Sequence, residues 1–153
     1  PKRKAKYLMC GIIGRINFDG SAVDRTCLVA AADSLEHRGP DDSGYWNEYG
    51  CGFAHRRLSI HDLTEAGHQP MLSSNERYVC VFNGEIYNFD NLKKQLTNDQ
   101  SHWRGHSDTE VLIEGWLRWG VQLLDRIDGM FAFAIWDRHK RKLFVAMTAD
   151  KLN

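Results

Sequence analysis

The sequence has no net charge, since 20 Lys and Arg balance 20 Asp and Glu over 153 residues. That removes any general case for nucleic acid or an acidic membrane surface as a partner. No apolar run approaches the ~20 residues of a membrane span. No apolar stretch follows the basic start, so no secretory signal is expected. The cysteines, Cys10, Cys27, Cys51 and Cys80, form no Cys-x-x-Cys pair. That argues against a zinc site and, with a core this apolar, for reduced cytoplasmic thiols rather than disulfide staples. Internal repeats, low-complexity segments and a Gly-rich phosphate loop are also missing.

What is present fits one soluble globular domain: 42% hydrophobic and 26% charged residues, in a chain long enough for one real core. The local exception to neutrality is Lys2, Arg3, Lys4 and Lys6. Short basic runs match nuclear addresses or phosphate-binding arms by chance. Residues 1–8 read more simply as a solvated, non-core tail, or as codons upstream of the true start.

The pattern predicts a first strand over Cys10–Phe18, with Asp19-Gly20 as a turn. A helix is expected from Asp24, its N-cap, to Glu36, with Leu28, Ala31, Ala32 and Leu35 on one apolar face. His37-Arg38-Gly39-Pro40-Asp41 stops it. Strands follow near Ser43–Glu48, Cys51–Arg56 and Arg77–Asn83, with a loop over Leu63–Ser74. Phe89–Leu96 reads as a short helix. Ser107-Asp108-Thr109-Glu110 reads as a capping box, with Glu110 its back half, opening a helix to Trp119 that turns Leu112, Trp116 and Trp119 to one side. Gly129–Asp137 is apolar on both alternating faces, so cover on both sides is expected. Asp137–Lys142 is a turn, and Leu143–Met147 a returning strand. Strands with helices inserted between them indicate an α+β sandwich. Cys27, Cys51, Cys80 and the tryptophans are expected in the core.

Met9-Cys10 is the first candidate for chemistry. If Met9 is removed, Cys10 becomes the amino terminus. An α-amine has a pKa of about 7.7–8.0 and a thiol about 8.5, so the amine of the same residue can act as the thiol's base. An amide nitrogen cannot. Taken alone, the pair reads more simply as a buried structural cysteine at a strand start.

The pair is followed, in order, by His37-Arg38-Gly39-Pro40-Asp41, His55-Arg56-Arg57-Leu58-Ser59-Ile60, Gly67-His68-Gln69-Pro70-Met71, Phe82-Asn83-Gly84-Glu85-Ile86-Tyr87-Asn88, Ser107-Asp108-Thr109-Glu110-Val111 and Asp128-Gly129-Met130-Phe131-Ala132-Phe133-Ala134. In these motifs the sequence resembles the class II glutamine amidotransferases, N-terminal-nucleophile hydrolases, and specifically the asparagine synthetase type. The resemblance runs from Cys10 to about Ala146. It implies a four-layer αββα sandwich and hydrolysis of glutamine to glutamate and ammonia, with Cys10 as nucleophile.

The resemblance also implies roles for other residues. Asn83, through its side chain, and Gly84, through its backbone N–H, are the oxyanion donors; preorganised donors of this kind are worth about 2.7–4 kcal/mol each. Without the resemblance, Asn83-Gly84 is the commonest short hairpin signal, and both readings can hold. Arg57 matches the arginine that binds the substrate carboxylate, which suits a planar fork. Glu85 and Asp108 match the residues facing the α-ammonium, although Asp108 also fits as a first-turn acid. Arg56 is expected to be a surface arginine. His37 is expected to be structural, since the α-amine serves as base. No metal or cofactor is implied for this domain. ATP and magnesium belong to a synthetase domain, normally in the same chain, that amidates aspartate.

Two departures accompany the resemblance. Residues 1–8 precede Met9 and block the Cys10 amine while attached. The family continues past Leu143–Val145, whereas Met147–Asn153 matches weakly. The amidotransferase domain, residues 10–148, is therefore expected to be incomplete and the synthetase domain absent. An exposed sheet edge and marginal stability follow, most of all around Met130–Trp136. The alternatives are an inactive binding module of the same fold, or a relative whose acceptor is a sugar or an antibiotic precursor.

Overall fold

In the computed structural model, residues 10–58, 67–98 and 102–148 are described. The basic tail, Met9, Ser59–Ile60 and the loop positions 63–66 lie outside them. The chain divides into two units, residues 1–62 and 63–153.

In the first unit, β1 (Gly11–Ile16), β2 (Asp42–Glu48) and β3 (Cys51–Arg57) form an antiparallel sheet in the order β1-β3-β2. The Asp19-Gly20 turn forms as expected: Gly20 takes a φ of 75° and its N–H donates to Asn17 O at 2.9 Å. Helix α1 (Arg25–Asp33) starts at its predicted cap, where Asp24 Oδ1 accepts from the Thr26 N–H at 2.8 Å. Leu28 and Ala32 are buried with Val23 and Ala54, while Ala31 and Leu35 are half-buried. The helix stops at Asp33, short of Glu36. Ser34 Oγ donates to Ala31 O at 2.6 Å, the local side-chain competition that ends helices. The chain then continues in single turns, with Leu35 N–H on Ala32 O and Arg38 N–H on Leu35 O, both at 2.9 Å.

In the second unit, β4 (Met71–Leu72), β5 (Tyr78–Ile86), β6 (Gly129–Asp137) and β7 (Lys142–Met147) form an antiparallel sheet in that order. Helices α2 (Phe89–Leu96) and α3 (Asp108–Trp119) lie between β5 and β6 in the chain, and a 3-10 turn (Gly120–Asp125) follows α3. The core gathers Phe82, Ile86, Leu92, Val111, Leu112, Ile113, Trp116, Leu123, Phe131, Phe133 and Ile135. Trp116 meets the Phe133 ring edge-on at 6.1 Å. In β6 the Phe131, Phe133 and Ile135 face is buried as expected. The other face runs from exposed Met130 to buried Trp136, so it is covered only at its Asp137 end. Asp137 anchors the β6–β7 turn. Its carboxylate takes the Arg77 guanidinium at 3.1 and 2.7 Å and the His139 and Lys140 N–H groups at 3.0 Å. β7 is an edge strand among the described residues, with Val145 and Met147 exposed.

Four local expectations change. Asn83-Gly84 is not a hairpin turn: β5 runs through it to Ile86, paired with β6. A hairpin does form at the expected Asp137–Lys142 turn, over Arg138–Arg141 between β6 and β7. Glu110 is not the back half of a capping box. Ser107 caps α3 by accepting from Thr109 N–H at 3.1 Å, and the buried Glu110 carboxylate takes the N–H groups of Arg104 (2.7 Å) and Gly105 (3.1 Å) in the preceding loop. Finally, Cys27 is exposed on α1, whereas Cys51 and Cys80 are buried as expected. Trp116 and Trp136 are core residues, while Trp46, Trp103 and Trp119 are half-buried.

Candidate active site

The predicted site residues fall in both units. In the first, Cys10 precedes β1 and Arg57 ends β3. The β1–β3 register runs Ile12↔His55, Gly11↔Arg56, so its next step sets Cys10 opposite Arg57. A direct contact agrees: Cys10 Sγ accepts the Leu58 N–H at 3.4 Å. Directly opposed residues of an antiparallel pair share a sheet face. Ala54 packs with α1 and Arg56 bonds to its last turn, so the alternation puts Cys10 and Arg57 on the face opposite α1. The half-buried sulfur and the guanidinium thus share one face at one end of the sheet.

Arg56 is not the surface arginine expected. Its Nε donates to Ala32 O at 3.2 Å and its Nη2 pairs with Asp33, so it neutralises the carbonyl end of α1. The His-Arg-Gly-Pro-Asp segment crosses the same strand end. A Cβ at Gly39 would lie 2.4 Å from the Arg56 carbonyl carbon, so no larger residue fits. The Asp41 N–H donates to Arg57 O at 3.1 Å. These contacts fix the backbone that carries Arg57. His37 is exposed in this turn.

In the second unit, Asn83, Gly84 and Glu85 form the last part of β5, and Asp108 opens α3. The strand is buried up to Phe82 and then emerges: Asn83 is half-buried, Gly84 and Glu85 exposed. Side chains alternate, so Phe82 and Ile86 enter the core while Asn83 and Glu85 project from the other face. Gly84 has a φ of 143°, and a Cβ there would meet Met130 O at 2.2 Å and Phe131 Cα at 2.5 Å. Only glycine satisfies both the dihedral and the space.

Asp108 Oδ2 accepts the Ile86 N–H at 2.8 Å. Burial pushes the Asp108 pKa up, the Ile86 hydrogen bond opposes this, and the Glu85 charge pushes it further up. The net direction is upward. Two neighbouring carboxylates attract a cation. Burial also pushes the Cys51 thiol up to about 12 and the Cys80 thiol higher still, which marks both as inert.

One residue of this region went unassigned in the sequence. Gln69 is buried, and its Oε1 accepts the Phe82 N–H at 2.6 Å while its Nε2 donates to Thr109 Oγ1 at 3.0 Å. The only signal for it was its place in Gly-His-Gln-Pro-Met.

Residues 9–152 match the family described as Glutamine amidotransferase domain. The chain is 38% identical to asparagine synthetase [glutamine-hydrolyzing] 3 of Bacillus subtilis (strain 168), over 90% of its length. It is 41% identical to synthetase 2 of the same strain over 90% of its length, and 35% identical to synthetase 1 of Arabidopsis thaliana over 92%. It spans 23%, 18% and 24% of those relatives respectively. Among solved structures, it is similar to a glutamine phosphoribosylpyrophosphate amidotransferase from B. subtilis. The TM-score is 0.66 at 22% identity, covering 91% of this chain and 36% of the other. That likeness shows the α+β fold of the N-terminal-nucleophile type.

Proposed function

The chain belongs to the glutamine amidotransferase domain family, homologous to the domains of glutamine-hydrolysing asparagine synthetases, and from that premise we propose that it hydrolyses glutamine through Cys10. The observation that carries this reading is the Cys10 Sγ contact with the Leu58 N–H at 3.4 Å, beside Arg57 where β1 and β3 end together. A nucleophile and a guanidinium at one end of a sheet suit a substrate that pairs a reactive amide with a carboxylate.

The reaction needs Cys10 at the amino terminus, so residues ahead of it must be removed. Its α-amine takes the thiol proton, and the thiolate attacks the side-chain carbonyl carbon of glutamine. The oxyanion draws on the Asn83 side-chain amide and the Gly84 N–H. The carbon–nitrogen bond breaks, the α-ammonium returns its proton to the leaving nitrogen, and ammonia departs from a thioester. Water adds to the thioester, and the thiol and glutamate are released. Arg57 holds the α-carboxylate; Glu85 and Asp108 hold the α-ammonium.

Given the relatives' names and length, the ammonia is proposed to serve an ATP- and magnesium-dependent synthetase domain that amidates aspartate. The glutaminase half itself uses no cofactor and partners neither nucleic acid nor membrane. No helix among the described residues is long and apolar enough to cross a membrane; a cytoplasmic location is part of the proposal. The test is a glutaminase assay on protein starting at Cys10. Cys10→Ala and a form retaining Met9 should both lose turnover; activity at the parent rate in either overturns the mechanism.

A further inference from the structure

The segment Asn83–Glu85 is gripped on both sides from one place. Phe82, just before it, gives its N–H to Gln69 Oε1 at 2.6 Å, and Gln69 Nε2 reaches Thr109 Oγ1 at 3.0 Å. Ile86, just after it, gives its N–H to Asp108 Oδ2 at 2.8 Å. Asp108 and Thr109 are the first two residues of α3. The helix start therefore brackets the segment, once directly and once through Gln69.

The ladder explains why such a grip is needed. In an antiparallel pair, alternate residues turn their N–H groups toward or away from the partner strand. Phe82 and Ile86 direct theirs to side-chain acceptors, away from β6. Gly84 lies between them at the same parity. Beyond Cys80, no described strand flanks β5 on this edge, since β4 pairs only with Val79 and Cys80. Side chains from Gln69 and Asp108 take the place of a ladder neighbour there. Gln69 and Thr109 are both buried, at 7% and 3% exposure, so their hydrogen bond is shielded from water.

We propose that Gln69 and Thr109 are positioning residues for Asn83 and Gly84. They hold the strand so that the Gly84 N–H and the Asn83 amide meet the reacting carbonyl oxygen. Asp108 is a second anchor of the same segment, besides its part in holding the ammonium. The proposal rests on the oxyanion role given above to Asn83 and Gly84. Neither Gln69 nor Thr109 touches substrate in this account.

The test compares Thr109→Val with Thr109→Ser in the protein starting at Cys10. Valine keeps the shape and removes the hydroxyl that receives the Gln69 amide; serine keeps the hydroxyl. Two readouts are taken on each folded variant: glutaminase kcat and KM, and amide hydrogen exchange at Gly84 and Glu85 without substrate. Thr109→Val should lower kcat by about 10-fold with KM within about twofold, because a misplaced donor costs transition-state stabilisation rather than ground-state binding. It should also speed exchange at Gly84 and Glu85. Thr109→Ser should restore both to the parent values. Unchanged kcat and unchanged exchange in Thr109→Val overturn the proposal, as does a rise in KM alone. If the parent protein hydrolyses no glutamine, the functional reading fails by itself. The exchange measurement then still decides whether the pair holds the strand: no change at Gly84 overturns the clamp. Gln69→Met, which keeps the length but neither hydrogen bond, provides the same comparison from the other side of the pair.

Discussion

In the unit of residues 1–62 the cluster under the helix is Val23, Leu28, Ala32 and Ala54, with Phe53 buried on the other face of the sheet. The unit of residues 63–153 packs two helices on its sheet around Trp116, Phe131, Phe133 and several aliphatics. The proposed functional residues are held differently in each. Arg57 and Cys10 sit on backbone pinned by close approach at Gly39 and by the Arg56 contacts to the end of α1. Asn83, Gly84 and Glu85 sit where a strand leaves a deep core, and hydrogen bonds to the Gln69 and Asp108 side chains steer it. Thin packing with backbone contacts serves one set, and a thick core with polar clamps serves the other.

The largest expected effect comes from Gly84→Ala. A Cβ 2.2 Å from Met130 O forces the strand to shift and displaces the proposed oxyanion donors. Glutaminase kcat should fall by about 100-fold or more, with the melting temperature showing how much of the unit yields. Next is Phe133→Ala against Leu28→Ala. The first should cost about 3–5 kcal/mol and the second about 2–5 kcal/mol, read by denaturant unfolding. A larger loss for Leu28→Ala would reverse the comparison, showing that the thin core is the more tightly packed one.

Arg56→Ala and Arg57→Ala sharpen the contrast between adjacent residues. Arg56→Ala should destabilise by about 1–2 kcal/mol through lost hydrogen bonds at the end of α1. Arg57→Ala should raise the glutamine KM, since its proposed role is to hold a part of the substrate distant from the reacting bond. The smallest effect is on pH. The Asp108 pKa lies above the ordinary aspartate value because of burial and the Glu85 charge. Its ionised form must meet the ammonium, so KM should rise as pH falls through that raised pKa, and Asp108→Asn should abolish the inflection. The folding consequence has the opposite sense: a raised folded pKa stabilises below the unfolded value and that stabilisation is lost as pH rises through the folded one.

Most elements were legible because period and caps agreed with the core. Phe89–Leu96 and Gly129–Asp137 fall at their predicted limits, since their apolar spacing faces one continuous cluster. The failures share a cause, local signals overruled by long-range pairing. Asn83-Gly84 spells a turn, yet the ladder to Ala132 and Phe131 keeps it extended. Ser-x-x-Glu spells a capping box, yet Glu110 is drawn into the loop at Arg104 and Gly105. Arg56 looks like any strand arginine until α1 ends beside it. Gln69 and Thr109 were invisible because a hydrogen bond across 40 residues leaves no periodic trace.

The most direct test of the account is the intact mass of protein made from a Met9 start, before and after exposure to an electrophilic glutamine analogue. Loss of Met9 followed by a single adduct, mapped to Cys10 and blocked by excess glutamine, is the expected result. Loss of Met9 with no adduct, or an adduct on exposed Cys27 that glutamine does not prevent, would contradict a glutamine site built around Cys10.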